Sequence, residues 1–520
     1  MNRFGCNQGE SLALPLRRSL IKTALTAPVL GILSGLNGCA STNSSEKVIR
    51  MGVSSRPRML DPRKATDALS SRVNRLLYRQ LIDFDERFEP VPDLATWQSI
   101  SATRYRFTLT DQSEFHNGET LSAEDVVATY RSVLDPQFGS AHRGSLKGIR
   151  KVELINATQV DFVLSEADPL FVGRLVIGIL PKSLIEKNHP FHQQPIGSGP
   201  CEFVSVNEQK LVVRRLADAQ LLHFIPVKDA TVRILKLKKG ELDIVQNDLS
   251  PELVNYAENQ DELKVDWHTG TNFGYIGFNF EDALLKQKAL RQAIAMGIDR
   301  KAVINAIFAG HARLAGGLLV PEHWCGVPEI DGYPYDPVQA KALLQQVKIP
   351  AGLLNSEGLI ELSYKTSNDP TRIRLATIYQ SQLRKIGIQL KIQSYDWGTF
   401  YSDIKQGRFQ LYSLAWVGVK SPDIFQYVFD SAAIPPKGAN RGRYRDERAD
   451  HLIRQASKQT QKNEQARLYR TLQIHLQETL ATVPLWYEDQ YAVSRKQISG
   501  YQLYSDGRLD GLLNVHKQQA

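Results

Sequence analysis

The sequence predicts an α/β protein, because helical and strand periodicities alternate along its second half. Apolar residues between Leu375 and Ile386 recur at helical spacing, Gly387 ends that segment, and strand-like alternation begins at Ile388. A helix that leads through a glycine into a strand is a building block of α/β folds. The chain has 520 residues, of which 42% are apolar and 23% charged, so it can form a large core in two or three domains.

Periodicity also places the first elements. The apolar run from Val48 to Val53 predicts a short strand, and apolar residues at helical spacing predict a helix from Ser70 to Leu81. The alternation from Tyr105 to Leu109 is typical of a strand with one buried face. We therefore expect the ordered part of the chain to begin near Val48.

Turn and cap residues predict the elements that follow. The run His116-Asn117-Gly118-Glu119 predicts a turn, and Ser122 with Asp125 forms a Ser-x-x-acid box that predicts the start of a helix. The segment from Val152 to Leu164 predicts two strands around Asn156-Ala157-Thr158. The first half therefore contains a capped helix followed by a strand pair.

Helix ends in the second half are marked by capping residues. Helices are predicted from Leu290 to Gly297 and from Arg300 to Phe308, with Asp299 as the N-cap of the second and Gly310 just beyond its end. The pair Asp336-Pro337 begins another helix, because proline at the first helical position loses no hydrogen bond.

The N-terminal segment has the pattern of a lipoprotein export signal. Arg17 and Arg18 precede an apolar run from Thr23 to Leu36 that is too short to span a bilayer, and a glycine comes directly before Cys39. Residues 1–38 are therefore predicted to be a signal peptide and Cys39 the lipid attachment site. This places the mature protein on a membrane outside the cytoplasm. A buried N-terminal helix with a chance cysteine is the alternative.

Two export routes fit this signal. The run from Leu16 to Lys22, which contains Arg17 and Arg18, resembles the twin-arginine motif, whose substrates cross the membrane folded. An ordinary signal peptide with a basic n-region is the other interpretation. The sequence favours neither route over the other.

Charge distribution and absent motifs exclude several functions. The net charge of +9 is not concentrated, since the basic cluster at 236–239 is followed at once by Glu241 and Asp243, and no nucleic-acid surface is predicted. The sequence has no G-x-S-x-G elbow, HExxH pair, Walker A loop or Cys/His cluster, so neither catalysis nor a bound cofactor or metal is predicted. We expect Cys201 and Cys325 to be buried thiols, with a disulfide between them as the alternative.

A series of short motifs follows a fixed order along the chain. They are Arg58-Met59-Leu60-Asp61-Pro62, Phe115 to Val126, Pro195 to Pro200, Gly240 to Ile244, Arg291 to Ile294, Asp396-Trp397, Ala415-Trp416, Asn440-Arg441 and Val483-Pro484-Leu485. In this order they resemble the family-five extracellular solute-binding proteins of ABC importers, the peptide/nickel group, over roughly residues 48–505. Within them, Gly197 and Gly199 are expected to adopt backbone conformations that other residues avoid.

The resemblance implies a bilobed α/β fold of the type II periplasmic-binding-protein kind, with an extra inserted subdomain and a hinge that closes the lobes on a ligand. The implied division is 1–38 signal peptide, 39–47 lipidated tether, 48–83 with 190–268 and 489–520 lobe one, 84–189 inserted subdomain, and 269–488 lobe two.

The resemblance also implies a ligand site. In peptide-binding members, the tryptophan that corresponds to Trp416 is followed three residues later by an aspartate that pairs with the ligand's α-ammonium, and Val419 occupies that position here. Either Asp423 replaces this carboxylate, or the ligand is not held by a free N-terminus. The predicted ligand-binding residues are Trp416, Val417, Gly418, Val419, Tyr275, Asn440, Arg441 and Asp423. Core packing of Trp416 and a surface position of Arg441 are the alternatives.

The implied function is capture of a peptide or peptide-like solute outside the cytoplasm and its delivery to an ABC permease and its ATPase. The protein is expected to act as a monomer, anchored to the membrane by lipid, with no nucleic-acid partner. A receptor that reports ligand occupancy to a membrane signalling protein is one alternative. Capture of nickel or haem is another.

Overall fold

The computed structural model describes residues 48–350 and 352–518, and the predicted signal peptide, the tether, Arg17, Arg18 and Cys39 lie outside these ranges. The strands of the described residues are β1 (Val48–Val53), β2 (Ile82–Phe84), β3 (Pro90–Pro92), β4 (Ala95–Ser101), β5 (Arg104–Leu109), β6 (Ile149–Asn156), β7 (Gln159–Leu164), β8 (Cys201–Val206), β9 (Leu211–Arg215), β10 (Leu221–Pro226), β11 (Ile244–Gln246), β12 (Leu263–Phe278), β13 (Ala312–Leu314), β14 (Ile360–Ser367), β15 (Ile388–Tyr395), β16 (Leu411–Trp416), β17 (Thr482–Arg495), β18 (Ile498–Ser499) and β19 (His516–Lys517).

The α-helices of the same ranges are α1 (Ala68–Leu77), α2 (Ala123–Leu134), α3 (Lys182–Glu186), α4 (Ala230–Lys238), α5 (Pro251–Glu258), α6 (Lys288–Met296), α7 (Arg300–Phe308), α8 (Pro337–Leu344), α9 (Pro370–Arg384), α10 (Trp397–Gln406), α11 (Ile424–Phe429), α12 (Glu447–Lys458) and α13 (Lys462–Thr479). None of these helices is both long enough and apolar enough to cross a membrane.

A mixed 11-stranded sheet connects two lobes. Its strand order is β15-β14-β16-β12-β17-β11-β1-β10-β9-β8, with β13 added beside β17. One end, β14 to β16, contains parallel pairs joined through helices α9 and α10, and its core includes the fully buried Trp486. The other end is built on β1, which lies parallel to both β10 and β11. We call the end with β14 to β16 the second lobe and the end built on β1 the first lobe.

Two long strands are shared by the lobes. Strand β12 pairs with β16 only through Phe273–Phe278, whereas β17 pairs with β11 only through Ala492–Ser494. The register between β12 and β17 shifts between His268 and Asn272, which is where the chain passes from one lobe to the other. A bulge bends a strand locally. The lobes are therefore joined by an interrupted two-stranded ribbon, a geometry suited to a hinge.

A separate four-stranded sheet, ordered β4-β5-β7-β6, carries helix α2 on one face. Its core contains Tyr130 and Phe162, whose rings meet edge to face at 5.1 Å. Asp161 is fully buried in β7, where Arg104 and Arg106 pair with its carboxylate. This sheet has a core of its own, beside the large sheet.

The caps predicted from the sequence are present. The carboxylate of Asp125 accepts a hydrogen bond from the backbone N–H of Ser122 at 2.8 Å, and Asp299 and Asp336 cap α7 and α8 with their side chains. The helix–Gly387–strand unit is also confirmed, with α9 followed by β15. Cys201 and Cys325 are both buried and free, as expected.

Two local expectations were wrong. Helix α1 ends at Leu77 rather than Leu81, because Tyr78 is extended and Gln80 turns towards Asp93, whose carboxylate accepts its backbone N–H. Gly197 and Gly199 do not have positive φ angles. They are glycines because of close packing: a Cβ on Gly197 would lie 2.1 Å from the carbonyl oxygen of Leu77.

Candidate ligand-binding cleft

Trp416 is the last residue of strand β16 and lies at the space between the lobes. The strand pairs antiparallel with β12, so that Trp416 lies opposite Phe273 at its last position. The chain then leaves the sheet as loop 417–423 and enters helix α11. Gly418 in this loop has φ +68°, a left-handed conformation that favours glycine. The end of a central strand of the sheet thus presents an aromatic side chain and a tight loop to the cleft.

A cavity of about 700 Å³, which we call the cleft cavity, lies beside this loop. Most of its walls come from residues 65–75, which lead into and form the first turns of α1, from segment 173–178, from residues 416–424 and from turn 506–508, and Asp83 and His142 also line it. Both lobes and the small four-stranded unit therefore contribute to it. The volume falls in the roughly 300–1,000 Å³ range that encloses small ligands.

The predicted site residues fall into two groups. Trp416, Val417, Gly418, Val419 and Asp423 line the cleft cavity. Tyr275, Asn440 and Arg441 do not line it; they lie behind Trp416 around a small void of about 20 Å³, to which Trp416 also contributes. The sequence-based list therefore combined a wall of the cavity with the layer that supports this wall.

Arg441 belongs to that supporting layer. It is 8% exposed, its guanidinium carbon lies 4.6 Å from the centre of the Trp416 ring, and its N–H groups donate to the hydroxyls of Tyr275 and Tyr401 at 3.2 Å. Asn440 is 1% exposed and donates to the backbone carbonyls of Asp430 and Tyr444. These contacts fix the back of the Trp416 indole.

Asp423 is already paired. Its carboxylate accepts a hydrogen bond from the guanidinium of Arg174, which lies on the opposite wall and also pairs with Asp168 at 3.0 Å. Asp423 therefore bridges loop 416–424 to segment 173–178. It does not present a free carboxylate to the cleft cavity.

Turn 506–508 takes part in an ion-pair network along one wall. Asp506 pairs with Lys420 at 2.8 Å and with Arg508 at 3.2 Å, and Asp83 pairs with Arg75 at 2.8 Å and with Arg508 at 3.2 Å. Burial by itself raises the pKa of Asp506, but Lys420 and Arg508 outweigh burial and hold that pKa well below its ordinary value. Because Lys420 follows β16 and Asp506 packs with the first lobe, this pair connects the lobes.

His323 holds loop 417–423 in place through a hydrogen bond to its backbone. Its Nε2–H donates to the carbonyl of Lys420 at 3.2 Å, and its Nδ1 accepts from the backbone N–H of Cys325. Burial lowers the pKa of His323 to about 4, so the ring is neutral at neutral pH. The ring also stacks on Phe88 at 5.6 Å. The loop carbonyl is thus held by a buried, uncharged imidazole.

The sequence-based list did not include most of the charged residues that line the cleft cavity. They are Arg72, Arg75, Asp83, Arg174, Lys420, Asp506 and Arg508. Arg72 and Arg75 lie one turn apart on α1 and are both half-buried, and this three-residue spacing is the one local signal that could have linked them. Across the described ranges 48–350 and 352–518, no group of three or more His, Cys, Asp or Glu residues is arranged to hold a metal ion.

The pair between Lys420 and Asp506 predicts an effect on lobe closure. We expect Lys420→Met to favour an open form without ligand, lowering the closed-to-open ratio by about tenfold, since a hydrogen bond to a charged group contributes roughly 1.5–3 kcal/mol. Small-angle scattering would report a larger radius of gyration. Lys458→Met, an exposed lysine on α12, is the control. An unchanged radius in Lys420→Met would contradict the prediction.

The pH dependence of this pair follows from the depressed pKa of Asp506. Opening separates Lys420 from Asp506 and raises the pKa of Asp506 towards the ordinary value of an aspartate. The contribution of the pair to closure is therefore fully present above that ordinary value and is lost as the pH falls through the lower pKa of the closed form. Closure should therefore not change between about pH 5 and pH 8 on account of this pair. A change in radius over that window would point to another group.

Two lobes joined by a two-stranded ribbon, with a cavity between them, define a solute-binding protein. The family model for "Bacterial extracellular solute-binding proteins, family 5 Middle" matches residues 89–434. The chain belongs to this family.

Three comparisons illustrate the likeness. The chain is 30% identical over 481 residues to "Probable di/tripeptide-binding protein 5" of Pseudomonas aeruginosa, covering 84% of this chain and 89% of that one. The crystal structure of NikZ from Campylobacter jejuni with Ni(L-His) aligns with a TM-score of 0.77 at 25% identity, covering 91% and 100% of the two chains. The structure of the oligopeptide-binding protein AppA of Bacillus subtilis, in complex with a nonapeptide, aligns with a TM-score of 0.75 at 22% identity. The alignment covers 91% of this chain and 99% of that chain.

Proposed function

We propose that this protein captures a peptide or peptide-like solute between its lobes outside the cytoplasm and delivers it to an ABC import permease and its ATPase. The observation that carries the proposal is the cleft cavity, which is walled by both lobes beside a hinge-like ribbon. Relatives described as di/tripeptide-binding and as oligopeptide-binding support the class of solute.

The proposal includes the parts outside the described residues. Cys39 is the lipid-bearing N-terminus, exported by a signal that contains Arg17 and Arg18, so that the binding lobes are held close to the membrane. Lobe one consists of residues 48–83, 190–268 and 489–520, lobe two of 269–488, and 84–189 form the inserted subdomain. The protein acts as a monomer and releases its solute unchanged, without catalytic turnover.

Within the site, Trp416 and loop 417–419 form one wall against the solute. Tyr275, Asn440 and Arg441 act behind this wall, and Asp423 acts by holding it to Arg174. A signalling receptor would need the same lobes, and uptake measured with and without the permease separates that alternative. The NikZ structure keeps nickel capture as an alternative, but the described residues offer no cluster suited to a metal ion.

This arrangement predicts little dependence on a free N-terminus. Val419 supplies no charge and Asp423 is committed to Arg174, so an α-ammonium would meet no free carboxylate on this loop. We expect Ala-Phe-Ala and its N-acetyl form to bind with affinities within about threefold of each other. The corresponding difference in binding free energy is well below the roughly 1.5–3 kcal/mol that a hydrogen bond to a charged group contributes. Titration calorimetry measures the two dissociation constants.

Two results of that experiment are informative in the other direction. A tenfold loss on acetylation, about 1.4 kcal/mol, would show that a carboxylate does receive the ammonium. If neither peptide binds and neither raises the melting temperature by mass action, the proposed capture of peptides fails.

A further inference from the structure

The charges of the cleft cavity are almost entirely paired with one another. The carboxylates that line it are Asp83, Asp423 and Asp506, and each already contacts at least one arginine or lysine. Burial lowers the pKa of His142, the histidine in this wall, so it is neutral at neutral pH. A solute that enters the cavity therefore meets no free negative group in the described walls.

Arg72 is the exception among the cations. Arg75, Arg174, Lys420 and Arg508 all have carboxylate partners, whereas within residues 48–350 and 352–518 the guanidinium of Arg72 has neither an ion pair nor a hydrogen bond. It is half-buried on α1, one turn before Arg75. Because this guanidinium has no carboxylate partner in the cleft, its two parallel N–H donors are available to a ligand.

The turn that contains Gly507 packs against this guanidinium. Gly507 has φ +71°, and a Cβ placed on it would lie 2.7 Å from Nη2 of Arg72. Any other residue at 507 would therefore displace the guanidinium as well as strain the turn. Turn 504–507 is itself fixed, since Gly507 donates its N–H to Tyr504 and its carbonyl accepts from Gln246 at 2.8 Å. The guanidinium of Arg72 therefore lies directly against this turn.

We propose that the bound solute carries a carboxylate and that Arg72 pairs with it at the α1 side of the cleft cavity. This inference rests on the proposed capture of a peptide-like solute and specifies its charge. A planar guanidinium can bind both oxygens of a carboxylate, which fixes the orientation of the solute as well as its charge. In a peptide, the carboxylate is either the C-terminus or an acidic side chain.

Four probes distinguish these sources by titration calorimetry. Ala-Phe-Ala against its C-terminal amide tests the C-terminal carboxylate, and the amides of Glu-Phe-Ala and Gln-Phe-Ala test a side-chain carboxylate. We expect a preference of at least tenfold for the acid in one of the two pairs. In Arg72→Gln that preference should fall below threefold. Arg454→Gln, which removes the same charge from an exposed position on α12, should keep it.

The outcomes separate this inference from the function on which it rests. If probes bind wild type without a preference, or if Arg72→Gln keeps the preference, the role of Arg72 is overturned and peptide capture stands. If no probe binds wild type, peptide capture is overturned and this inference with it. Should Arg72→Gln fail to fold by circular dichroism, Arg72→Lys repeats the test: its single ammonium cannot match the guanidinium fork, so the preference should fall at least threefold, and an unchanged preference overturns the proposal.

Discussion

Gly197→Ala is expected to destabilise the protein by about 3 kcal/mol or more, since overpacking costs roughly 1–3 kcal/mol and exceeds this where neighbours cannot move. The added Cβ would lie 2.1 Å from the carbonyl oxygen of Leu77 and 2.6 Å from Cδ1 of Tyr78. Neither atom can easily give way. The Leu77 carbonyl also accepts the backbone N–H of Gly199 at 2.9 Å, and the Tyr78 ring is 2% exposed.

A thermal unfolding scan measures this effect. We expect the melting temperature to fall by roughly 5 °C or more, at about 2–4 °C per kcal/mol for mid-sized domains. Gly144→Ala is the matched control, because a Cβ there meets nothing within 4 Å and its φ is not positive. If the two variants melt within a degree of each other, the close approach of segment 195–200 to α1 is not what requires glycine.

Local chemistry was enough to predict many elements of this fold. The unit from α9 through Gly387 to β15 follows from apolar spacing and one glycine, and the caps at Asp299 and Asp336 follow from single residues. Such features depend on neighbours within a few positions along the chain. Gly197 was expected to need the backbone freedom of glycine, and that reason was wrong, because the contact that excludes a side chain is with Leu77, far away in sequence.

The charged wall of the cleft could not be predicted in the same way. Arg75 contacts Asp510, which is 435 residues away, and Asp506 contacts Lys420 from another lobe. Nothing in the local sequence of Arg72 distinguishes it from Arg75, although one is paired and the other is not. Which arginine is free for a ligand depends on long-range packing that only the folded chain establishes.

The sequence also could not show which of the predicted site residues reach the cavity and which lie behind its wall. Tyr275, Trp416 and Arg441 lie close together, but β12 and β16 are central strands with apolar residues on both faces. Alternation along such strands does not tell which face looks into the cleft. The structure therefore changes the interpretation of Arg441: it lies under the Trp416 ring, whereas Trp416 itself reaches the cavity.

Trp416→Ala is expected to weaken the binding of Ala-Phe-Ala by about 30-fold or more, since aromatic residues in a desolvated centre typically contribute 2 kcal/mol or more. The indole forms part of the cleft wall, with Arg441 packed behind it at 4.6 Å and Tyr427 beside it at 6.4 Å. Alanine would remove the wall and expose the Arg441 guanidinium to the cavity. The ligand would lose apolar contact and meet a charge that the indole covers in the native protein.

Calorimetry on the folded variant tests this, with Trp397→Ala as the matched control. Trp397 is 58% exposed on α10 and stacks on Tyr401 outside the cleft cavity, so its loss should change the dissociation constant less than threefold. The two substitutions remove the same side chain, and only one removes a wall of the cavity. If Trp416→Ala binds Ala-Phe-Ala as tightly as Trp397→Ala does, then Trp416 is a packing residue and does not contact the ligand. In that case the solute must lie nearer to α1 and Arg72.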